Sequence, residues 1–389
     1  MQLDYGMVDA DNHYYEPMDA LTRHLPDHRR RDAYWVTEDE TGRKRLVIGG
    51  RIWDYLANPT FDPIVRPGLL DRRNVEPIAN RPEYRDPAKR LARFDEQGIH
   101  SSLMFPTLMN GLGEVVGDNL SLHVDLVWSF NQWLEEEWGF AYGDRIFGTP
   151  LFSLTDPDQS VQMLEWALER GCRAILLAAG PIRTAVGWRS PADPVYDPFW
   201  ARLAEAKVPV CVHAASNLNR HSGEYTGHFE QRPMEDQTLD ALMNSGRAVS
   251  DFFAAMVWQG AFTRHPELRF VSIENKSGWV PGLLTRFKEF QGRRFGAHNY
   301  IRSSVDQSRT TEDPVEVFHR CVYVTPHWED DIRGLLELLP VERITAGSDF
   351  PHYDGLEEPT DFAKFVDWMS PEDQRKVMRD NLGTLLASV

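Results

Sequence analysis

Short apolar, β-branched runs recur along the chain, and each is followed by a longer stretch whose apolar positions have helical spacing. The runs fall at 7–11, 101–106, 145–152, 172–179, 209–214, 269–274, 321–325 and 344–349. Strands that alternate with helices predict a parallel sheet, and eight of them are the number that closes a (β/α)8 barrel. The intervening stretches carry their own punctuation. Residues 87–97 put Leu91 and Phe94 on one face and run into Gly98, a residue suited to ending a helix. Residues 119–139 form a long aromatic-rich segment, and 158–170 carry Val161, Leu164, Trp166 and Leu168 before Gly171. Residues 251–264 stop ahead of His265-Pro266, and 330–339 stop at Pro340. Residues 370–386 open on Ser370-Pro371-Glu372-Asp373, a capping serine, a first-turn proline and an acidic first turn.

Two stretches break the alternation. The first, at about 27–85, is charged and proline-rich around the apolar runs 45–48 and 51–55, and Gly49-Gly50 between those runs predicts a hairpin. The second, at about 215–250, is polar and punctuated by His221, Gly223, Gly227, His228 and Pro233. Long loops in a compact domain usually serve function or stay disordered. One follows the first strand and the other the fifth, which places both on the face where a barrel carries its chemistry. The expected architecture is a single α/β domain over 1–389. It is a distorted (β/α)8, TIM-like barrel with inserted loops on the catalytic face. A barrel takes about 250 residues, so the length leaves room for both insertions.

Composition narrows the partners. A net charge of −17 argues against a nucleic-acid backbone or an anionic membrane as partner. The first residues, Met1-Gln2-Leu3-Asp4-Tyr5, lack the basic and then apolar pattern of a secretory start, and no stretch is apolar for long enough to span a bilayer. Cys172, Cys211 and Cys321 lie far apart, each within or beside an apolar run. They are expected to be buried free thiols in a reducing, cytoplasmic setting.

The candidate chemistry sits where the strands end. Strand one ends in Asp11-Asn12-His13, strand five in His213, strand six in Glu274 and strand eight in Ser348-Asp349. Positions i and i+2 of a strand point the same way, so Asp11 and His13 can aim together at the barrel axis, with His213 and Asp349 meeting them across the mouth. Two imidazoles and two carboxylates suit zinc, iron or manganese. Each residue also has a purely structural reading: a hydrogen-bonded core histidine for His13 or His213, a helix cap for Asp349, an ion pair with Arg269 or Lys276 for Glu274. The conjunction at strand C-termini is what favours a metal.

Val8-Asp9-Ala10-Asp11-Asn12-His13, Val210-Cys211-Val212-His213, Arg269-Phe270-Val271-Ser272-Ile273-Glu274 and Gly347-Ser348-Asp349-Phe350-Pro351-His352 occur in that order across nearly the whole chain. In this order they resemble the amidohydrolase superfamily, in the branch that includes aminocarboxymuconate-semialdehyde and resorcylate-type decarboxylases. The resemblance implies a divalent metal held by Asp11, His13, His213 and Asp349, and a homodimer. Two departures stand out. The usual His-x-His of strand one is Asp11-x-His13, and the usual strand-six histidine, used for proton handling in the decarboxylases, is Glu274. No lysine ends strand four, so a second ion, if there is one, would fall to Glu274 as ligand or bridge.

The expected activity is hydrolysis of an ester, thioester or amide of a hydrophobic organic acid by a metal-activated water. Asp349 would act as the base, His327 would support the oxyanion, and His352 would orient Asp349. Tyr15, Trp53 and Tyr55 are expected to line the small-molecule pocket, or else to close a loop core. The alternatives are non-oxidative decarboxylation of an aromatic or unsaturated acid, hydration of an unsaturated ring acid, and a barrel that binds without turnover.

Overall fold

Parallel pairing organises the chain. The computed structural model describes residues 3–17, 19–38, 40, 44–53, 81–116, 119–214, 242, 246–291, 310–352, 355–387 and 389. Strand β1 (Met7–Tyr14) is followed by an antiparallel insert of β2 (Tyr34–Glu38), β3 (Lys44–Ile48) and β4 (Arg51–Trp53). Gly49 and Gly50, at φ +58° and +81°, make the expected hairpin turn, and Ile48 faces Arg51 across it. A two-residue turn of this hand needs positive φ at both positions, which glycine adopts freely.

The remaining strands are β5 (Ile99–Pro106), β6 (Ile146–Gly148), β7 (Leu151–Phe152), β8 (Ile175–Ala178), the small hairpin β9 (Ile182–Thr184) and β10 (Gly187–Arg189), β11 (Val210–His213), β12 (Phe270–Ile273) and β13 (Val322–Val324). One parallel sheet runs β1-β5-β6 and another β7-β8-β11-β12-β13. The chain between 146 and 152 belongs to both, so a single run joins them. On the opposite side residues 344–350 lie between β13 and β1. Thr345 N donates to Val324 O (3.1 Å), Ala10 N to Ala346 O (2.9 Å), Asp349 N to Asp11 O (2.9 Å) and His13 N to Phe350 O (2.7 Å).

The eighth run is therefore present as isolated bridges, Val324 with Ile344 and Asn12 with Phe350, and not as a regular strand. Gly347 shows how close the contact is. A Cβ there would stand 2.7 Å from Thr325 Cγ2 and 2.9 Å from the Asp11 Cβ. The two seams, and a register shift in β1 between Asp9 and Asn12, are the distortion of the barrel.

The predicted helices are found at Pro87–Gln97, Leu120–Glu137, Pro157–Leu168, Arg247–Trp258 with Ala261–Arg264, and Ile332–Leu336. The C-terminal one is split. Pro371–Arg375 and Asn381–Ala387 flank a π turn at Lys376–Asp380, and Val377 O in that turn accepts the amide of Ala346. Asp197–Ala206, Val280–Phe290 and Pro314–Cys321 were not foreseen. The first ends on Lys207 at φ +56° where a glycine would have signalled the stop. The second begins Val280-Pro281-Gly282, which reads as a turn, and the third runs directly into β13. No helix among the described residues is long and apolar enough to cross a membrane. All three cysteines are buried free thiols.

Candidate metal centre

Every residue of β1 is buried, including Asp9, Asp11, Asn12 and His13. Four polar side chains within one buried strand are unfavourable unless each finds a partner. Asp11 and His13 find theirs at the barrel mouth. His13 Nε2 lies 3.2 Å from Asp11 Oδ1, 3.3 Å from Asp349 Oδ1 and 3.2 Å from His213 Nε2, and His213 Nε2 lies 3.4 Å from Asp11 Oδ1. His213 and Asp349 are as deeply buried as the first pair.

The far sides of the two rings settle what faces inward. His13 Nδ1 is 3.2 Å from Pro106 O, and His213 Nδ1 is 2.8 Å from Ala214 O. A carbonyl only accepts, so each Nδ1 carries the hydrogen and each Nε2 turns a lone pair to the centre. Imidazole lone pairs then face the Asp11 carboxylate, with Asp349 beside His13, an arrangement that a cation or a proton would hold together. Without a cation the balance falls on His213. Burial opposes its charge, but the Asp11 carboxylate outweighs burial and raises its pKa. Burial, then His352, pushes His13 down to about 3. Burial works to raise the Asp11 carboxyl, yet the imidazoles of His13 and His213 beside it hold it below the ordinary range. A transition-metal ion holds its N and O ligands at about 2.0–2.2 Å, which sets neighbouring ligand atoms about 3.0–3.5 Å apart. The four spacings fall inside that interval, and the ligand atoms form two groups that share His13, one with Asp11 and His213 and the other with Asp349 and His352, whose donor types fit a divalent cation.

The surrounding residues fix these four. Asp9 is fully buried. Its Oδ1 accepts from Asp11 N (3.1 Å) and Ser348 N (2.9 Å), and its Oδ2 accepts from Asn12 Nδ2 (3.1 Å) and lies 2.6 Å from Ser348 Oγ. It ties the strand-one ligands to the segment that bears Asp349. Arg90, also fully buried, donates to Asn12 Oδ1 (2.9 Å), His13 O (2.6 Å) and Glu83 O (2.8 Å). Sequence reasoning passed over both. Asp9 was visible in the motif but lies inside the strand and not at its end, and the Asn12 and His13 partners of Arg90 lie 78 and 77 residues away.

Asp349 sits at φ +55° and Glu274 at φ +57°. Left-handed backbone at non-glycine positions costs of order 1–3 kcal/mol and concentrates at functional sites. His352 Nδ1 is 2.7 Å from Asp349 Oδ1, and its ring lies 4.0 Å from that of His13. That spacing is shorter than a ligand–ligand edge and is a hydrogen bond. Glu274 comes to 3.4 Å from His213 Nδ1, the ring nitrogen opposite the converging Nε2. It stands outside the groups whose ligand atoms meet. His327 is engaged in its own turn, with Asp330 Oδ2 accepting its backbone amide at 3.0 Å and Glu329 3.6 Å from Nδ1. Tyr15 is buried, edge-on to His352 at 6.2 Å and tilted against Tyr84 at 5.7 Å. Trp53 closes β4, and Tyr55 lies outside the described residues. So does nearly all of the long loop expected at 215–250.

The family model described as amidohydrolase matches residues 8–381. No curated protein matches the sequence. Among solved structures, an amidohydrolase from Mycobacterium avium subsp. paratuberculosis K-10 is 37% identical, with a TM-score of 0.89 over 99% of this chain and 100% of that one. A dihydroxybenzoic acid decarboxylase from Polaromonas sp. JS666, solved with bound manganese and the inhibitor 2-nitroresorcinol, is 15% identical, with a TM-score of 0.62 over 98% of this chain and 97% of its own. A 2,6-dihydroxybenzoate decarboxylase from Rhizobium is 18% identical, with a TM-score of 0.61 over 98% and 99%.

Proposed function

The chain belongs to the amidohydrolase family, and from that premise we propose that it is a metal-dependent decarboxylase that releases carbon dioxide from an aromatic or unsaturated carboxylic acid without net oxidation. The observation that carries the reading is the buried meeting of Asp11, His13 and His213, with Asp349 3.3 Å from His13 and hydrogen-bonded to His352 at 2.7 Å. A divalent cation bound there would supply positive charge against the oxygens of the substrate. Two carboxylates and two imidazoles suit manganese, iron or zinc.

When carbon dioxide leaves, the electron pair stays on the substrate carbon, which must then take a proton. The Asp349–His352 pair is built to hold one. Thr107 Oγ1 donates to Tyr14 O at 2.8 Å, so at 3.2 Å it accepts the Nε2 hydrogen of His352. That leaves Nδ1 facing the Asp349 carboxylate with a proton between them. Burial shields the proton from water and keeps it for the substrate. Two further observations support carbon dioxide loss over hydrolysis. Glu274, the candidate for a second ion, lies on the far edge of His213, and solved structures of the same fold bear decarboxylase names.

Hydrolysis remains the second reading, because the same Asp349 can take the proton of an attacking water. One assay separates them. Manganese-loaded protein is incubated with hydroxybenzoates, unsaturated acids and their esters in oxygen-labelled water. Decarboxylation gives headspace carbon dioxide and an unlabelled product. Labelled acid from an ester, with no carbon dioxide from any acid, would replace it with hydrolysis.

A further inference from the structure

Glu16 follows β1 by two residues and is fully buried. Its carboxylate takes three consecutive backbone amides. Oε2 accepts from Thr107 N (3.2 Å), and Oε1 from Leu108 N (3.0 Å) and Met109 N (3.2 Å). Those amides open the helical turn Met109–Gly111 that follows β5. A buried carboxylate is a costly choice for capping so short a turn, which water or a hydroxyl could also serve.

What the turn carries explains the choice. Pro106 O faces Nδ1 of His13 at 3.2 Å. The Asn110 side chain packs 3.2 Å from Nδ1 of His213, and its amide donates to Pro106 O at 3.1 Å. Thr107 Oγ1 lies 3.2 Å from Nε2 of His352. Residues 106–110 thus touch the outward edge of all three imidazoles at the site, and Glu16 pins three of those five residues by their backbone.

We infer that Glu16 is a positioning residue, which holds His13, His213 and His352 in register with one another through residues 106–110. The inference rests on the metal reading of the site. Outer partners that set ring orientation change metal affinity about 10–100-fold when they are lost.

The test uses the full chain, stripped of metal and titrated with Co2+, whose visible spectrum reports ligand geometry. Glu16→Gln keeps the volume but turns a donor toward amides that already donate. It should weaken Co2+ binding about tenfold and shift the visible bands, with the circular dichroism of the apo protein unchanged. Glu16→Asp keeps the charge and shortens the reach, and should fall between. Amide exchange in the wild-type apo protein supplies a readout that needs no variant: Thr107, Leu108 and Met109 should exchange as slowly as the interior of β5. Wild-type Co2+ affinity and spectrum in Glu16→Gln, or fast exchange at 107–109, would overturn the role of Glu16 alone. Failure of the wild type to take up Co2+ would overturn the metal reading and this inference with it.

Discussion

Asp9 shows how much one buried carboxyl can govern. Ser348 Oγ lies 2.6 Å from Asp9 Oδ2 and 3.0 Å from Asp11 O, but a hydroxyl has one hydrogen and the carbonyl can only accept. Both contacts are satisfied if Asp9 holds a proton, donates it to Ser348, and Ser348 donates to Asp11 O. Burial pushes the Asp9 carboxyl up to about 7, in keeping with that arrangement. A carboxyl whose folded pKa is raised contributes stability that is fully present below its ordinary value and is lost as pH rises through the folded one. Asp9→Asn removes the titration and turns an amide donor against Asn12 Nδ2. It should destabilise the protein by about 1–3 kcal/mol at acidic pH, and the gap to wild type should narrow between pH 5 and 8. Urea unfolding of both proteins across that range checks the sign, and a gap that widens would mean that Asp9 is ionised in the fold. Asp349→Asn keeps the backbone at φ +55°, a conformation asparagine tolerates, while losing the carboxylate charge beside His13 and His352. Its melting curve in chelator should resemble that of the metal-free wild type, and turnover should fall about a hundredfold or more.

At the scale of elements, the helix Pro87–Gln97 supports the site from outside. Asp86 caps it by accepting from Ala88 N and Lys89 N, and Gly98 ends it at φ +71°. Arg90 reaches from its buried face to Asn12 and His13 O. Asp86→Ala should cost about 1 kcal/mol in thermal or urea unfolding. If fraying reaches Arg90, metal affinity should fall with it, which titration of the same variant will show. This helix was legible in the sequence because its cap, stop and apolar stripe are local signals. So were seven of the eight barrel runs and the turn at Gly49-Gly50. The segment 344–350 was legible as an apolar run but not as the irregular seam it forms, because its partners are the Val324, Asp11 and Val377 carbonyls and the Ala10 and His13 amides, far away in the chain. Asp11, His13, His213 and Asp349 could be read as candidates from their place at the ends of the apolar runs. Asp9, Glu16 and Arg90 could not, since their partners are mostly backbone groups and a sequence does not show which carbonyl or amide will arrive.

Over the whole molecule, the site joins the two edges of a ring. Bound cation should therefore stabilise the ring as a unit. An ion present at a hundred times its dissociation constant adds about 2.7 kcal/mol, so chelation should lower the melting temperature by several degrees and manganese should restore it. A melting temperature indifferent to chelator would deny that the cation spans the seam. The same seam has a consequence for how the protein is made. Asp9 and Ser348, which lock it, are 339 residues apart along the chain. Asp11 and His13 emerge early in synthesis and Asp349 late. If the four hold a cation as proposed, metal loading would await the last of them, and a chain cut short before Asp349 would bind it weakly or not at all.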